Sequence, residues 1–541
     1  MSQLDGGRLV AKALKQEGVE CIFTLCGTHI QAIHDGCIDE GINIIDVRHE
    51  QAAAHAAEGW AKVTGKPGVA VATAGPAITN TVSALANALR NWSPLILIGG
   101  RSPVAEWEKG SLQELDHIEI MKPVTRWART VLETKRIPEY IGTAFRYAIG
   151  PKGGPVFLEI PVDVLSSRVD ETGVIFPTKY RTTAKPQGDP HQVKLATQLI
   201  ANAQHPVVIA GSSVWWAQAA KELQQFGESA IAPLFLNGMA RGSIPPNHPL
   251  FFSISRRFAL SCADVIMVIG APLDFRLGFG HLFPKEAKVI QVDFDPYDIG
   301  RNRAIEVGIT GNIQAILKQL AQEAENPPQR ARSAWIERLR EEEESIRRQD
   351  QQFLSSSAIP IHPLRLCKEI ADFLSKEATI IGDGGDIVAF GARVLPVNSP
   401  GHWLDPGPMG CLGVGTGYAM AAKLARPGEQ VLLLSGDGSF GFNAMEFDTM
   451  VRHNLPIVCV ISNDGCWGQV KRYAQPLGQA VAVDLAPATR YDKMVQALGG
   501  YGELVQKGDD IRPALERAFA SGLPACINVL TDSAMTYWDS R

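Results

Sequence analysis

From Leu4 to about Ser166 the chain alternates short apolar runs (CIFTLCG, GINIIDV, GVAVATAG, PLILIGG, PVFLEIP) with helix-forming stretches. Apolar runs this short, without strict polar alternation, predict strands buried on both faces, and the stretches between them predict the crossover helices of a parallel sheet. The pattern recurs twice. PVVIAGSS, APLFLNG, DVIMVIGAP and KVIQVDFDP form a second set, and TIIGDGG, QVLLLSGDG, PIVCVISND and ACINVLTD a third. The expected fold class is therefore α/β, with three doubly wound parallel-sheet domains: residues 1–180, a central domain at 189–325 and a last domain at 362–541. Proline, threonine and charge in GVIFPTKYRTTAKPQGDPH mark a linker that ends near Asp189. The segment 326–361 is proline-started, densely charged and rich in helix formers, which predicts a solvated connecting helix rather than a binding tail.

Composition narrows the function classes. The 541 residues are 45% hydrophobic and 20% charged, with 52 basic against 57 acidic side chains and a net charge of -5. No basic stripe stands out, so nothing points to nucleic acid. No apolar run reaches the roughly 18 residues that would cross a bilayer, and MSQLDGGRLVAKAL lacks the unbroken apolar segment of a signal peptide. A soluble, cytoplasmic protein without membrane partners is expected. The nine cysteines are scattered and contain no CxxC pair, which argues against a disulfide framework and against a zinc site.

Two strand-to-helix junctions carry candidate chemistry. In NIIDVRHEQAAAHAAEGWA an apolar run ends at Val47, and Glu50 opens an alanine-rich helix. In a parallel sheet that junction lies at the carboxyl edge, where ligands bind. A helix-start carboxylate favoured by the macrodipole is the plainer role. In VLLLSGDGSFGFNAMEFDTMVRHNLPIVCVISNDGCWG a strand stops at Gly436-Asp437-Gly438, and a helix is expected from near Asn443. Glycines there permit a sharp turn that leaves amides free for an anion. The next strand ends at Ser462 with Asn463 and Asp464 at its tip, so Asp437 and Asp464 are expected side by side. Oxygen ligands beside free amides suit a magnesium ion that holds a diphosphate.

With these residues the chain resembles, over nearly its whole length, the thiamine diphosphate enzymes of the pyruvate oxidase and acetolactate synthase type. Their diphosphate signature is GDG followed by a spacer and an Asn pair, represented here by Asn463-Asp464. The resemblance implies the thiamin diphosphate-binding fold in the pyruvate oxidase-type arrangement. It implies thiamine diphosphate and Mg2+, with Asp437, Asp464 and the carbonyl of Cys466 as metal ligands. Aspartate in place of the second Asn adds a negative charge that the metal must offset. Glu50 takes the place of the family glutamate that exchanges a proton with the cofactor's aminopyrimidine. Because that glutamate and the diphosphate site come from different subunits, a homo-oligomer, dimer or tetramer, is implied. Leu412 falls where a bulky side chain bends the cofactor, and Gly410 where a carbonyl meets its amino group. Thr73 and Asn80 fall near the pyrimidine. Gly384, Gly385, Asp386, Gly436, Gly438, Ser439, Cys466 and Trp467 complete the implied cofactor contacts.

The reaction is read from three further stretches. His29 in CGTHIQAIH and Gln113 in GSLQELDH match benzaldehyde lyase, where a histidine and a glutamine face the reacting carbon. DVRHE, GMARG, DFRL, DGGD, WLDPG, LGVG and EFDT are similar to motifs of the animal acetolactate synthase-like proteins regarded as 2-hydroxyacyl-CoA lyases. That resemblance implies reversible cleavage of a 2-hydroxyacyl-CoA to an aldehyde and formyl-CoA. It is favoured over a pyruvate-condensing acetolactate synthase because such synthases lack the histidine at position 29. A non-catalytic binding subunit is the remaining alternative. In the central domain Arg256, Arg257, Arg276 and Arg301 are candidates for nucleotide phosphates of CoA, and QVDFDPYDIGRNR suits a flavin or an adenine. FAD is compatible with this domain but not expected to be needed. The C-terminal TDSAMTYWDSR is read as a lid or as disorder.

Overall fold

Each cluster of apolar runs closes into a six-stranded sheet. A computed structural model of the chain describes residues 3–150, 152–324 and 329–535; the end of the C-terminal segment TDSAMTYWDSR lies outside the described residues. In the first domain the spatial order is Asn43–Asp46, Cys21–Thr24, Gly68–Ala72, Leu95–Arg101, Pro155–Pro161 and Trp127–Thr130, every pair parallel. The central sheet runs Phe251–Phe252, Leu234–Leu236, Pro206–Ala210, Val265–Ile269, Lys288–Asp293 and Val307–Thr310, again parallel throughout. The third runs Trp403–Leu404, Thr379–Asp383, Val431–Gly436, Val458–Asn463, Ala525–Leu530 and Tyr501–Val505, also parallel. Helices cover both faces, so inner strands such as Gly68–Ala72 and Pro206–Ala210 are buried along their whole length.

In each sheet the strand order reverses beside the strand that comes first in the chain, and this opens a crevice at the carboxyl edge. In the first domain the crevice lies between Cys21–Thr24 and Gly68–Ala72, in the third between Thr379–Asp383 and Val431–Gly436. Both crevices end in residues that the sequence marks for chemistry. Residues 174–189 carry no helix or strand, and Asp189 caps the helix Pro190–Asn202. No helix among the described residues is long and apolar enough to cross a membrane, and all nine cysteines are free.

The charged segment forms the expected connecting helix, Gln329–Leu354, with most of its side chains exposed, but it also buries one face as a strap. Arg332, Trp335 and Leu339 are buried, and the Trp335 indole N–H donates to Pro206 O at 3.0 Å. Glu343 accepts the amides of Ser253 and Ile254 at 2.6 and 3.1 Å. Asp350 takes Arg393 of the third domain in a two-pronged pair at 2.8 and 2.7 Å. The helix thus ties the central domain to the third, because its few apolar and acidic positions share one face.

The first and third domains meet through two helices, Glu50–Thr64 and Gly415–Ala425. Alanine and glycine let their backbones approach closely. A Cβ on Gly59 would lie 2.7 Å from Tyr418 Cα, and one on Gly417 would lie 2.8 Å from Ala56 N. At this seam Glu58 is fully buried, with Lys62 Nζ at 3.5 Å and with Asn87, Asn91 and Ser93 donating to its carboxylate. Lys62 Nζ also donates to Asp405 O at 2.7 Å. Burial alone would raise the Glu58 pKa, but Lys62, His55 and Asn87 hold it down to about 2. The unfolded carboxyl titrates near 4.5, so this stabilisation is complete above that pH and is lost as pH falls toward 2. Glu58→Gln is expected to cost about 3–5 kcal/mol at pH 7, since it leaves a buried ammonium without its counter-charge. Thermal unfolding from pH 7 to pH 3 checks this: the melting gap between wild type and variant should narrow below pH 4.5, and a gap constant with pH would contradict it.

Candidate active site

One half of the site sits on the first domain's carboxyl edge. The chain leaves Asp46, and Arg48 and His49 give their amides to the buried Glu446 carboxylate of the third domain at 3.0–3.1 Å. Burial raises the pKa of Glu446, while Thr449 and those two amides oppose the rise. His49 caps the helix through its ring, which accepts from Gln51 N. The cap fixes Glu50 at the first helical position, 8% exposed. Asn80 Nδ2 donates to Glu50 Oε2 at 2.9 Å. Asn80 is thus a partner of the carboxylate, and Oε1 takes no hydrogen bond among the described residues.

The crevice beside it holds His29 and Thr73, with His29 Nδ1 3.0 Å from Thr73 Oγ1. Two glycines make room for this pair. A Cβ on Gly27 would lie 2.3 Å from Thr73 Cβ, and one on Gly100 would lie 2.5 Å from His29 Cβ. Burial lowers the His29 pKa, so the ring is neutral at pH 7. Gln113 is half-buried at φ 58°, a left-handed backbone that costs a non-glycine residue about 1 kcal/mol or more, and it packs on Gly75.

Sequence reasoning missed what lies beneath. His117 and Glu159 are fully buried, with His117 Nδ1 2.9 Å from Glu159 Oε2 and Gly75 N donating to His117 Nε2 at 2.9 Å. Thr130 Oγ1 and Arg101 donate to the other carboxylate oxygen. One signal was available: Glu159 is the sole charge in the apolar strand PVFLEIP, and a buried carboxylate demands partners.

The other half sits on the third sheet. The helix after Gly436 begins at Asp437 rather than near Asn443, and Gly436 has an ordinary φ of -76°. A tight turn is therefore not what these glycines provide. A Cβ on Gly436 would have nothing nearer than 3.9 Å, so the residue leaves an open cradle above the helix start, whereas one on Gly438 would strike the Trp467 ring at 2.5 Å. Gly384 closes the crevice, with φ 143° and its Cβ position 3.3 Å from Gly436 N. Asp437 is buried and accepts the amides of Gly438 and Gly465 at 2.8 and 2.9 Å. Burial and the neighbouring Asp464 charge push its pKa up to about 7. Burial also raises Asp464, whose carboxylate accepts Cys466 N at 3.2 Å.

Asn463 turns the other way. Its amide donates to Thr489 O and Asn528 Oδ1 inside the fold, which leaves Asp464 as the side chain at the strand tip. Ser439 is buried on the same helix. Asp386 is ion-paired with Arg472, and a Cβ on Gly385 would meet Gln469 Oε1 at 2.4 Å, so the helix Gly468–Ala474 covers this corner. Leu412 is half-buried on a loop between Gly410 at φ 64° and Gly413 at φ 85°. Asp383, raised to about 6 by burial, pins that loop by accepting Gly413 N and Gly415 N at 3.1 and 2.8 Å. Asn443 Nδ2 donates to Gly413 O at 2.7 Å.

Among the described residues no group of three or more His, Cys, Asp and Glu side chains forms a ready-made metal cage. Two crowded carboxylates beside an open cradle fit a divalent cation that draws its remaining ligands from backbone and from a bound diphosphate. In the central domain Arg276 is bound to Asp274 and Arg301 to Asp298, while Arg257 is exposed on the helix Arg256–Cys262 that Arg256 begins.

Three family models match the chain. They describe the thiamine pyrophosphate enzyme N-terminal TPP binding domain over residues 4–120, the central domain over 193–320, and the C-terminal TPP binding domain over 383–529. An acetolactate synthase large subunit of Mycobacterium tuberculosis is 45% identical over 538 residues, covering 99% of this chain and 97% of that protein. The 2-hydroxyacyl-CoA lyase 2 of Bos taurus is 34% identical over 572 residues, with 97% and 90% covered. The 2-hydroxyacyl-CoA lyase 1 of Homo sapiens is 29% identical over 552 residues, with 99% and 96% covered. With an open cradle above the carboxylates of Asp437 and Asp464 on the third sheet and all three domain models matched in order, this chain belongs to the thiamine pyrophosphate enzyme family.

Proposed function

We infer that the protein is a thiamine diphosphate-dependent carbon-carbon lyase that cleaves a 2-hydroxyacyl-CoA to an aldehyde and formyl-CoA, and that runs in reverse as a carboligase. The observation that carries this is the neutral His29, paired with Thr73 and placed in the first domain's crevice with Gln113 beside Gly75. Cleaving a bond next to a hydroxyl requires a base for the hydroxyl proton, and a buried neutral imidazole supplies one at pH 7. Thr73 occupies Nδ1, so Nε2 is the nitrogen that takes this proton. Gln113 orients the same oxygen. A second reading, acetolactate synthase, is supported by the 45% identical relative of that name; a benzaldehyde lyase-type carboligase is a third.

The bound cofactor would supply the electron sink for the carbanion left by cleavage. Asp437, Asp464 and the Cys466 carbonyl would hold Mg2+, and the backbone at Gly436, Gly438 and Ser439 would line the diphosphate site. Leu412, on its pinned loop, would support the bound cofactor. Glu50, with Oε2 fixed by Asn80, would present Oε1 for proton exchange with the cofactor's pyrimidine nitrogen. Glu50 and Asp437 lie on different sheets, and the proposed oligomer brings together the Glu50 half of one chain and the diphosphate half of another.

Product analysis by mass spectrometry separates the three reactions. Protein loaded with thiamine diphosphate and Mg2+ is given formaldehyde with formyl-CoA, benzaldehyde, or pyruvate. Glycolyl-CoA is expected; benzoin alone would favour the benzaldehyde lyase type, and acetolactate alone would overturn the lyase reading. Glu50→Gln should lower kcat by about 10²–10⁴-fold while the cofactor still binds, as read from turnover beside cofactor titration. Asp437 must ionise to ligate the metal, and its pKa of about 7 means that Mg2+ affinity falls as pH drops below 7. Asp464→Asn relieves the like charge and should move that fall to lower pH while metal binding persists. Calorimetric Mg2+ titrations from pH 8 to pH 5.5 check this, and an affinity flat across the range would contradict it.

A further inference from the structure

We propose that His117 and Glu159 are a positioning pair that anchors the Gly75 amide and, through it, sets both Gln113 and the Asn80–Glu50 contact. The proposal rests on the roles just given to Gln113 and Glu50. Gly75 N–H donates to His117 Nε2, so that nitrogen is unprotonated and the ring proton sits on Nδ1, where it is donated to Glu159. The tautomer is thus set by the two partners. Arg101 and Thr130 satisfy the remaining carboxylate oxygen, and the Arg101 guanidinium lies 3.9 Å from the Trp107 ring centre.

Gly75 is the hinge of two arms. Its φ of 62° and ψ of -118° belong to backbone that only glycine adopts readily, so its place depends on what grips it from outside. On one side it opens the short helix Pro76–Thr79, and Asn80 N donates back to Pro76 O at 2.9 Å before the Asn80 side chain reaches Glu50. On the other side a Cβ on Gly75 would lie 2.8 Å from Gln113 Cβ and 2.9 Å from Gln113 O, so the glycine backs directly against a residue that is itself at positive φ. A loosened Gly75 therefore releases Gln113 and Asn80 together, and a displacement of about 1 Å at reacting groups is enough to cost roughly 10²-fold in rate.

Three variants test the anchor. His117→Gln keeps it, since the amide carbonyl can accept Gly75 N–H while its N–H donates to Glu159. His117→Asn is one methylene too short to reach both partners, and His117→Leu offers neither contact. Hydrogen exchange by mass spectrometry on the metal- and cofactor-free chain reads the segment 73–81, and steady-state kinetics of the loaded enzyme reads kcat and KM. The Asn and Leu variants should exchange faster there and lose about 10- to 100-fold in kcat with KM changed by less than about 3-fold, and Gln should restore both. If Leu does not fold, Asn against Gln decides. Wild-type exchange and turnover in Asn and Leu would overturn the anchor, as would a Gln variant as impaired as Asn. Should no substrate turn over even in wild type, the lyase reading fails, while exchange still decides for or against the anchor.

Discussion

The buried Glu58–Lys62 pair of one helix, whose ammonium reaches across the seam to Asp405 O where two helices of small residues meet, is the constraint on which both halves of the site depend. The helix that carries Glu58 begins with Glu50, and the helix it packs against follows the loop that carries Leu412. His55 on the first helix lies 3.9 Å from Cys411, next to Leu412. One seam therefore sets the depth of the Glu50 carboxylate in the first domain and of the Leu412 loop in the third. Glycine and alanine allow the close approach, and the buried charges make it specific, because a shifted register would strand an ion in an apolar seam.

Electrostatics differ between the two halves. In the first domain each carboxylate has its own partners: Glu159 pairs with Arg101 and takes hydrogen bonds from His117 and Thr130, and Glu50 accepts one from Asn80. In the third domain Asp437 and Asp464 are left crowded, and their pKa values are raised. A fold keeps such a pair when a cation stabilises it in the working state. On the proposed reading, the same logic makes the free chain a poor binder of Mg2+ in acid, where Asp437 keeps its proton.

Much of this was legible from the chain. Short apolar runs with helical spacers specify parallel sheets, and the three sheets appear where those runs lie. Glu50, Asp437 and Asp464 were legible because strand ends can be read from where hydrophobicity stops. The pairing of Asn80 with Glu50 was not, since it joins two turns that come together only through the order of strands. His117 was hidden for the same reason: its partners lie on Gly75 and on the strand Pro155–Pro161. The glycines of GDG were assigned a turn from their residue type, whereas the structure uses Gly438 for close approach to Trp467 and Gly436 for an open cradle. The strap Gln329–Leu354 read as solvated because its charge density conceals a single buried face.

The division of the site between chains is open to one direct measurement. Glu50→Gln and Asp437→Asn chains are each expected to be inactive alone, and co-expression in equal amounts tests whether they complement. With shared sites, half of the dimers are hybrids, and each hybrid holds one site whose two halves are both wild type, so activity should return to about one quarter of the wild-type value per chain. A co-expressed mixture no more active than either parent would contradict a site shared between subunits and place both halves within one chain.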